Sequence, residues 1–439
     1  MNTTVADNLV PPGPPNTRES LLRMSRDPIA FFLNVMQTYG SFSYVRIGTR
    51  DTYVVCDPAL LQRVYIDDLD DYEKDDHTKL SFAPVGDGLF LLTGAKHRQH
   101  RRILQPLFTP TRIAEYAATV ITHTDKMLKN WQYGQVHDLE TDLAELTMGI
   151  VCEAIFGVSS NSLQSELSDA IGVFQRYSAD TRYRSHFTDE YKAAYQGAIT
   201  GFERIVSTLL AQVQPNGHDF LSLIANAADP DTGEKLSEQE VIDEARTLLL
   251  AGYETTSNML LWTWYLLGKH PDVEKRVVTE LRQIVGDRPV GYSDLPKLKL
   301  LADVCKESLR LYPPAWLLGR RVVRPVELGG YQLPTNAALA ISPYVIHRNP
   351  AYFPEPEAFK PERFAVDLPK NAYIPFGLGA HVCIGQHFAM MEAQLILSSV
   401  IQQFHLALPP DYVAVPEGLG TLKPKTKIMV TLEQRAGFK

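Results

Sequence analysis

Between Ser237 and Pro271 the chain offers no place to end a helix, and that run constrains the fold more than any other segment. Ser237-Glu238-Gln239-Glu240 is a capping box, in which the serine hydroxyl and the Glu240 carboxylate each cover a free backbone N–H. The next stop signals are Gly268, His270 and Pro271. The interval is about 30 residues, or roughly 45 Å at 1.5 Å per residue. A helix of that length crosses a whole domain and must bury most of its surface. Its centre, Ala251-Gly252-Tyr253-Glu254-Thr255-Thr256-Ser257-Asn258, sets a glycine and a polar run between leucine-rich turns. Glycine costs about 1 kcal/mol there relative to alanine, and buried Glu and Thr cost more unless partnered. One reading is hydroxyls bonding back to carbonyls of the previous turn. The other is a local opening of the helix beside a ligand, with threonine hydroxyls and a carboxylate able to pass protons.

The rest of the chain fits around such a helix. Residues 40–57 hold two β-rich runs flanking Gly48-Thr49-Arg50-Asp51, which predicts a hairpin, and Asp57-Pro58 then opens a helix. From about 110 to 285 the pattern is helical, broken by turn signals near 157–160, 215–217 and 229–233. Residues 320–345 turn β-like, helix returns at 384–404, and a β-rich tail follows. The fold class is therefore mainly α with small β-sheets, an α+β arrangement. Residues 1–29, with Pro11-Pro12-Gly13-Pro14-Pro15, form a stiff lead-in, and 30–439 form a single domain.

Composition removes several function classes. Apolar residues at 45% and charged residues at 21% of 439 are those of a globular protein, so disordered, collagen-like and coiled-coil chains are excluded. A formal charge of −8 argues against nucleic acid as the main partner, because phosphate binding needs surplus Lys and Arg. The polar N-terminus lacks a signal peptide's basic start and apolar core, and no membrane span is expected. Cys56, Cys152, Cys305 and Cys383 are far apart, which suits a reducing, cytoplasmic setting better than a disulfide framework.

One of those cysteines has a different context. Residues 376–385 read Phe-Gly-Leu-Gly-Ala-His-Val-Cys-Ile-Gly, and a helical pattern follows. Gly377 and Gly379 permit backbone shapes closed to other residues. A thiol at a helix N-terminus has its pKa lowered by free N–H groups, so Cys383 is placed to be a thiolate. Three roles compete. A zinc site built from His381, Cys383 and His387 is the weakest, lacking a fourth soft ligand nearby. A cysteine nucleophile, as in a hydrolase, needs a histidine base. A haem-thiolate ligand needs one Cys on a rigid loop beside a large apolar cavity.

Four motifs taken together carry a resemblance over the chain from about residue 30 onward. Phe376, Gly379, Cys383 and Gly385 match FxxGxxxCxG. Glu307-Ser308-Leu309-Arg310 matches ExxR, Pro361-Glu362-Arg363-Phe364 matches PxRF, and Ala251-Gly252-Tyr253-Glu254-Thr255-Thr256 matches an oxygen-binding helix segment. The chain resembles a soluble bacterial cytochrome P-450, a haem-thiolate monooxygenase.

The resemblance implies a helical triangular prism around haem b, with Cys383 as axial thiolate and Phe376 packed on the sulfur side. Ala251 and Gly385 would lie against the cofactor. Glu307, Arg310 and Arg363 would form a buried network under the cysteine loop. Gly252 would leave room for dioxygen, Thr255 would hydrogen-bond toward it, and Glu254 would belong to the proton route. His97, Arg101, Arg320 and His381 would hold the haem propionates, His97 standing where the family often has Trp. Electrons would come from NAD(P)H through a separate reductase and a ferredoxin or flavodoxin, with Lys96, Arg98 and Arg102 as a basic docking patch on a monomer.

The resemblance also places an apolar substrate pocket at Phe90, Leu248, Ala251, Trp316, Leu317, Leu318 and Leu419. Phe174, Tyr177, Tyr183, Phe187, Tyr191 and Tyr195 fall on a helix pair lidding it or serve ordinary packing. The implied reaction is hydroxylation or epoxidation of a terpenoid, fatty acid or steroid-like molecule. A peroxide-driven peroxygenase is the alternative within the same fold, and Glu254-Thr255 argues against it. A cysteine hydrolase or a non-catalytic helical binding protein is the alternative from another class.

Overall fold

The computed structural model describes residues 10–47, 50–158, 164–183, 188–212 and 219–435. The long helix runs unbroken over Glu238–Lys269, with both halves of the predicted capping box formed and His270 as C-cap. It packs along the helix Leu139–Phe156, where Thr147 Oγ1 donates to the Tyr253 carbonyl at 3.0 Å. Further along, Trp262 stacks on Tyr312 with ring centroids 3.8 Å apart, and its indole N–H donates to the Leu422 carbonyl. This places the polar centre of the helix in the middle of the molecule.

The strands form small sheets at the edges of this helical body. Phe42–Ile47 and Arg50–Val55 pair antiparallel, Phe42 facing Val55, as the hairpin pattern predicts. Arg50–Val55 then runs parallel to Ala338–Ile341, which pairs with Leu318–Val322 and through it with Tyr72–Glu73. Asp57 caps the following helix by accepting from the Ala59 and Leu60 N–H groups. A tight hairpin joins Val326–Leu328 to Tyr331–Leu333 through Gly329 and Gly330, both at positive φ. Another joins Pro416–Gly418 to Leu422–Pro424. The mainly helical, small-sheet class expected from the sequence is the one observed.

The first residues do more than lead in. Arg18–Arg26 is a helix, followed by Pro28–Tyr39, and Met24, Ile29 and Phe32 are buried against the first sheet. No helix among the described residues is long and apolar enough to cross a membrane.

Candidate active site

The cysteine loop is shaped by its own backbone. Cys383 N–H donates to the Phe376 carbonyl at 2.8 Å and Val382 N–H to Gly379 at 3.1 Å. Gly379 has φ +64°, and a Cβ there would lie 2.2 Å from the Tyr65 carbonyl oxygen, so no other residue fits. Phe376 packs against the helical core. The following helix, Gln386–Gln403, begins three residues after Cys383. One expectation is reversed here. Burial raises the Cys383 thiol pKa, and the Gly385 N–H and the Arg101 guanidinium lower it by less. Although burial dominates that shift, Cys383 keeps an exposed face, so the sulfur side of the loop is not packed shut. A cation bound at the sulfur would favour the thiolate there.

Beside the loop, basic groups from distant segments converge. His97, on the helix Gly94–Leu104, lies with its ring centroid 4.0 Å from that of His381. Arg101 Nη1 donates to the Val382 carbonyl at 2.6 Å. Arg320, 4% exposed, sits 4.7 Å over the Tyr65 ring. The four residues assigned to propionates by resemblance are thus brought together.

A fifth residue, Lys74, joins them without any signal in the sequence. Its ammonium is buried 4.9 Å over the Phe90 ring, with no ion-pair partner among the described residues. The adjacent Asp75 is engaged by Arg50 and Thr78. Burial, then the Arg320 charge, lowers the Lys74 pKa far below its ordinary value. Burial and Lys74 pull His97 down to about 4 and His381 to about 2, so both rings are neutral at physiological pH. Two guanidinium groups, a buried amine that an anion would protonate and two imidazoles so placed suit a ligand carrying two carboxylates. Haem brings two, and the residues present fit it.

On the long helix, Ala251 is exposed and Leu248 and Thr255 are partly so, on one face between buried turns. The helix does not open. Thr255 Oγ1 donates to the Ala251 carbonyl at 2.7 Å, the back-bonded reading of the polar run. Gly252 does not make room on that face either. It faces the neighbouring helix instead, where a Cβ would stand 3.0 Å from Val151 Cγ2 and press on it.

Glu254 is buried, and its Oε1 accepts from Thr421 Oγ1 at 2.6 Å. Burial raises its pKa to about 7. It borders a polar cavity of about 430 Å³ walled in part by Glu140, Glu145, Asn258 and Lys423. Thr421 was not found from the sequence.

The ExxR and PxRF residues meet in one network. Arg310 Nε and Nη2 donate to Glu307 at 2.7 and 2.9 Å, and Arg363 Nε donates at 3.1 Å. Glu307 and Arg310 have no exposed surface.

Among the pocket residues, Phe90, Leu248, Leu317, Leu318 and Leu419 are partly exposed and uncharged. Trp316 is not a lining residue. It is 2% exposed within the first sheet's core, and its indole donates to the Leu419 carbonyl at 3.0 Å. Phe90 follows a loop clamped to the long helix: Asp87 N–H donates to Asp243, and Leu89 N–H to Glu244 at 2.8 Å. Glu244 also holds His100 Nδ1 at 2.6 Å.

The lid aromatics pack on one another between the helices Gln164–Tyr183 and Asp189–Leu210. Tyr177 stacks on Tyr195 at 3.7 Å, and Phe174 meets Tyr195 edge-on. Phe187 and the Tyr183 side chain lie outside the described residues. The expected basic patch carries no free charge: Lys96 pairs with Glu240, Arg98 with Asp70, and Arg102 with Asp229 and Asp231. Among the described residues no His, Cys, Asp and Glu cluster suited to a metal ion occurs, which leaves the zinc reading without a site.

Comparison with known proteins agrees with this geometry. The family model described as Cytochrome P450 matches residues 11–432. Cyclooctatin synthase of Streptomyces melanosporofaciens is 32% identical, the match covering 91% of this chain and 89% of the relative. Cyclooctat-9-en-7-ol 5-monooxygenase of the same organism is also 32% identical, over 86% and 85%. Pentalenene oxygenase of Streptomyces avermitilis is 27% identical over 94% of each chain. A family match over nearly the whole chain, with a lone cysteine on a glycine-cornered loop beside a dicarboxylate-shaped cationic cluster, has one outcome: the chain belongs to the cytochrome P450 family, the haem-thiolate monooxygenases.

Proposed function

We propose that this monooxygenase oxidises a cyclic terpenoid, with Cys383 as the axial thiolate. The observation that carries the site is the open face of Cys383 beside the cluster of Lys74, His97, Arg101, Arg320 and His381. The uncharged Phe90, Leu248, Leu317, Leu318 and Leu419, and the names of the terpenoid-oxidising relatives, support the substrate class.

When bound, haem supplies dioxygen activation, one oxygen atom going to substrate and the other to water. The chain's own groups do the rest. Lys74, Arg101 and Arg320 would pair with the propionates, and His97 and His381 would donate hydrogen bonds to them. Glu307, Arg310 and Arg363 hold the segment ahead of the cysteine loop. Ala251 and Thr255 present a small, polar-edged helix face to the reacting centre. Glu254, with a pKa of about 7, both gives and takes protons near neutral pH. Two electrons per turnover come from a redox partner, which we take to be a ferredoxin or flavodoxin with its NAD(P)H-dependent reductase. The paired Lys96, Arg98 and Arg102 make that row a weak docking site. We place this single-domain enzyme in the cytoplasm as a monomer; the absence of disulfides among its four cysteines supports a reducing compartment.

The test is the spectrum of the reduced protein under carbon monoxide. A strongly red-shifted Soret band is expected. Cys383→Ala should abolish it and Cys152→Ala should not; a Cys383→Ala protein that keeps the band sinks the assignment. Thr255→Ala should uncouple turnover, with peroxide released in place of product. Unchanged coupling, measured as product formed per dioxygen consumed, removes Thr255 from the proton path. A screen reading the haem spin shift against cyclic terpenes, fatty acids and steroids checks the substrate class, terpenes being expected to give the largest shift.

A further inference from the structure

Glu254 is tied to a part of the chain that the oxygen-binding motif does not include. Its Oε1 accepts from Thr421 Oγ1, and Thr421 Oγ1 in turn accepts from Asn258 Nδ2 at 3.0 Å. Thr421 lies in the turn between the strands Pro416–Gly418 and Leu422–Pro424, two residues after Leu419. The flanks of that turn are fixed. Trp316 donates to the Leu419 carbonyl, and Leu422 N–H donates to Pro314 at 2.9 Å.

Glu254 also stands between two spaces. On one side is the polar cavity of about 430 Å³. On the other is a pocket of about 20 Å³ lined by Phe82, Phe174, Leu250, Gly420 and Thr421, with room for about one water. Because Thr421 gives its single hydrogen to Oε1, the proton of a neutral Glu254 resides on Oε2.

We propose that Thr421 is a positioning residue for Glu254, fixing the orientation of its carboxyl group and which oxygen carries the proton between the outer cavity and the inner pocket. The inference deepens the proton-delivery reading of Glu254 and rests on it for its functional meaning. Mechanically it joins the hairpin turn bearing Leu419 to the acid that supplies protons, so the turn that meets substrate also sets the geometry of the acid.

Other charges facing Glu254 are Glu140 and Glu145 on Leu139–Phe156, Asp169 on Gln164–Tyr183, and Lys423 and Lys427 beyond the hairpin turn. Lys423 favours the carboxylate and Glu140 disfavours it. Asn258, which donates to Thr421 and also favours the Glu254 carboxylate, is the neighbour that a change at 421 touches directly, and Thr421→Ser keeps its acceptor in place.

The experiment is an infrared titration of the haem-loaded protein, the Glu254 carboxyl band being assigned by its loss in Glu254→Gln. Thr421→Val removes the hydrogen bond to the charged form with little change of shape. The midpoint should rise by about one pH unit, a tenfold change in proton affinity. Thr421→Ser, which keeps the hydroxyl and loses the methyl, should restore it. A midpoint unmoved in Thr421→Val, or moved equally in Thr421→Ser, overturns the proposal. The second pattern would mark a packing role alone. The reading needs no turnover and no substrate, so it stands apart from the coupling assay that tests Glu254 and Thr255 in proton delivery.

Discussion

Glu307→Gln is expected to lower stability by about 3–5 kcal/mol and to leave little protein able to hold haem. Glu307 is fully buried and receives four donors: Arg310 through Nε and Nη2, Arg363 through Nε, and the Lys360 N–H at 2.9 Å. Glutamine keeps the shape but removes the charge that two guanidinium groups share. It also offers its own N–H groups to donors. Arg310 cannot swing away to water, because it is locked by the His347 and Pro356 carbonyls at 2.9 and 2.7 Å. His347 in turn accepts the Ile374 N–H, two residues before Phe376, so the damage reaches the cysteine loop. A urea midpoint and a carbon monoxide spectrum both equal to the parent's would show that the network carries neither stability nor cofactor geometry.

The second large effect concerns a carboxyl group outside all four motifs. Glu392 lies on Gln386–Gln403, fully buried, and neither oxygen makes a hydrogen bond of ordinary geometry. Thr256 on the long helix is close enough to favour its charged form slightly, but burial dominates and pushes its pKa from 4.5 to about 8. A folded pKa above the unfolded one means that the folded state holds the proton more tightly. The stabilisation is complete below pH 4.5 and is lost as pH rises toward about 8. Over that interval the loss amounts to about 5 kcal/mol. Glu254 acts in the same direction, losing about 3 kcal/mol by pH 7 and above. Glu392→Gln is therefore expected to flatten the alkaline limb. The variant should be the more stable protein by a few kcal/mol at about pH 9 and gain nothing at about pH 5. Urea midpoints at the two pH values check it, and an equal change at both would show that Glu392 does not titrate in this range.

Much of the fold and part of the site were legible in the sequence, for local reasons. The capping box, the stop at His270-Pro271, the Asp57-Pro58 helix start and the glycine corners at 377 and 379 each solve a backbone problem within a few residues. What could not be read depends on distant partners. Lys74 sits in Asp70-Asp71-Tyr72-Glu73-Lys74-Asp75-Asp76, which reads as a solvated acidic stretch. Pairing of Tyr72–Glu73 with the strand bearing Arg320 places it beside the site. Trp316 reads as pocket lining until Gly418 is seen pressed against it; a Cβ there would meet the indole at 2.6 Å. The thiol shift of Cys383 went the opposite way because burial, which a sequence does not display, outweighed the nearby N–H groups.

The clamped loop before Phe90 has a consequence for anyone altering this enzyme's substrate range by laboratory evolution. A Cβ on Gly86 would meet an Asp243 carboxylate oxygen at 2.2 Å, and one on Gly88 would meet Thr247 Oγ1 at 2.2 Å. Any side chain at those two positions must displace Asp243 or Thr247, and at Gly86 it must also adopt φ +72°, so change there is expected to disturb the clamp. Phe82 and Phe90 are in edge contact at 5.0 Å just outside the clamp, Phe82 lining the small pocket beside Glu254 and Phe90 partly exposed. A small library confined to these two rings is expected to sample new pocket shapes with the clamp intact, whereas one spread over the loop spends part of its members on the two glycines.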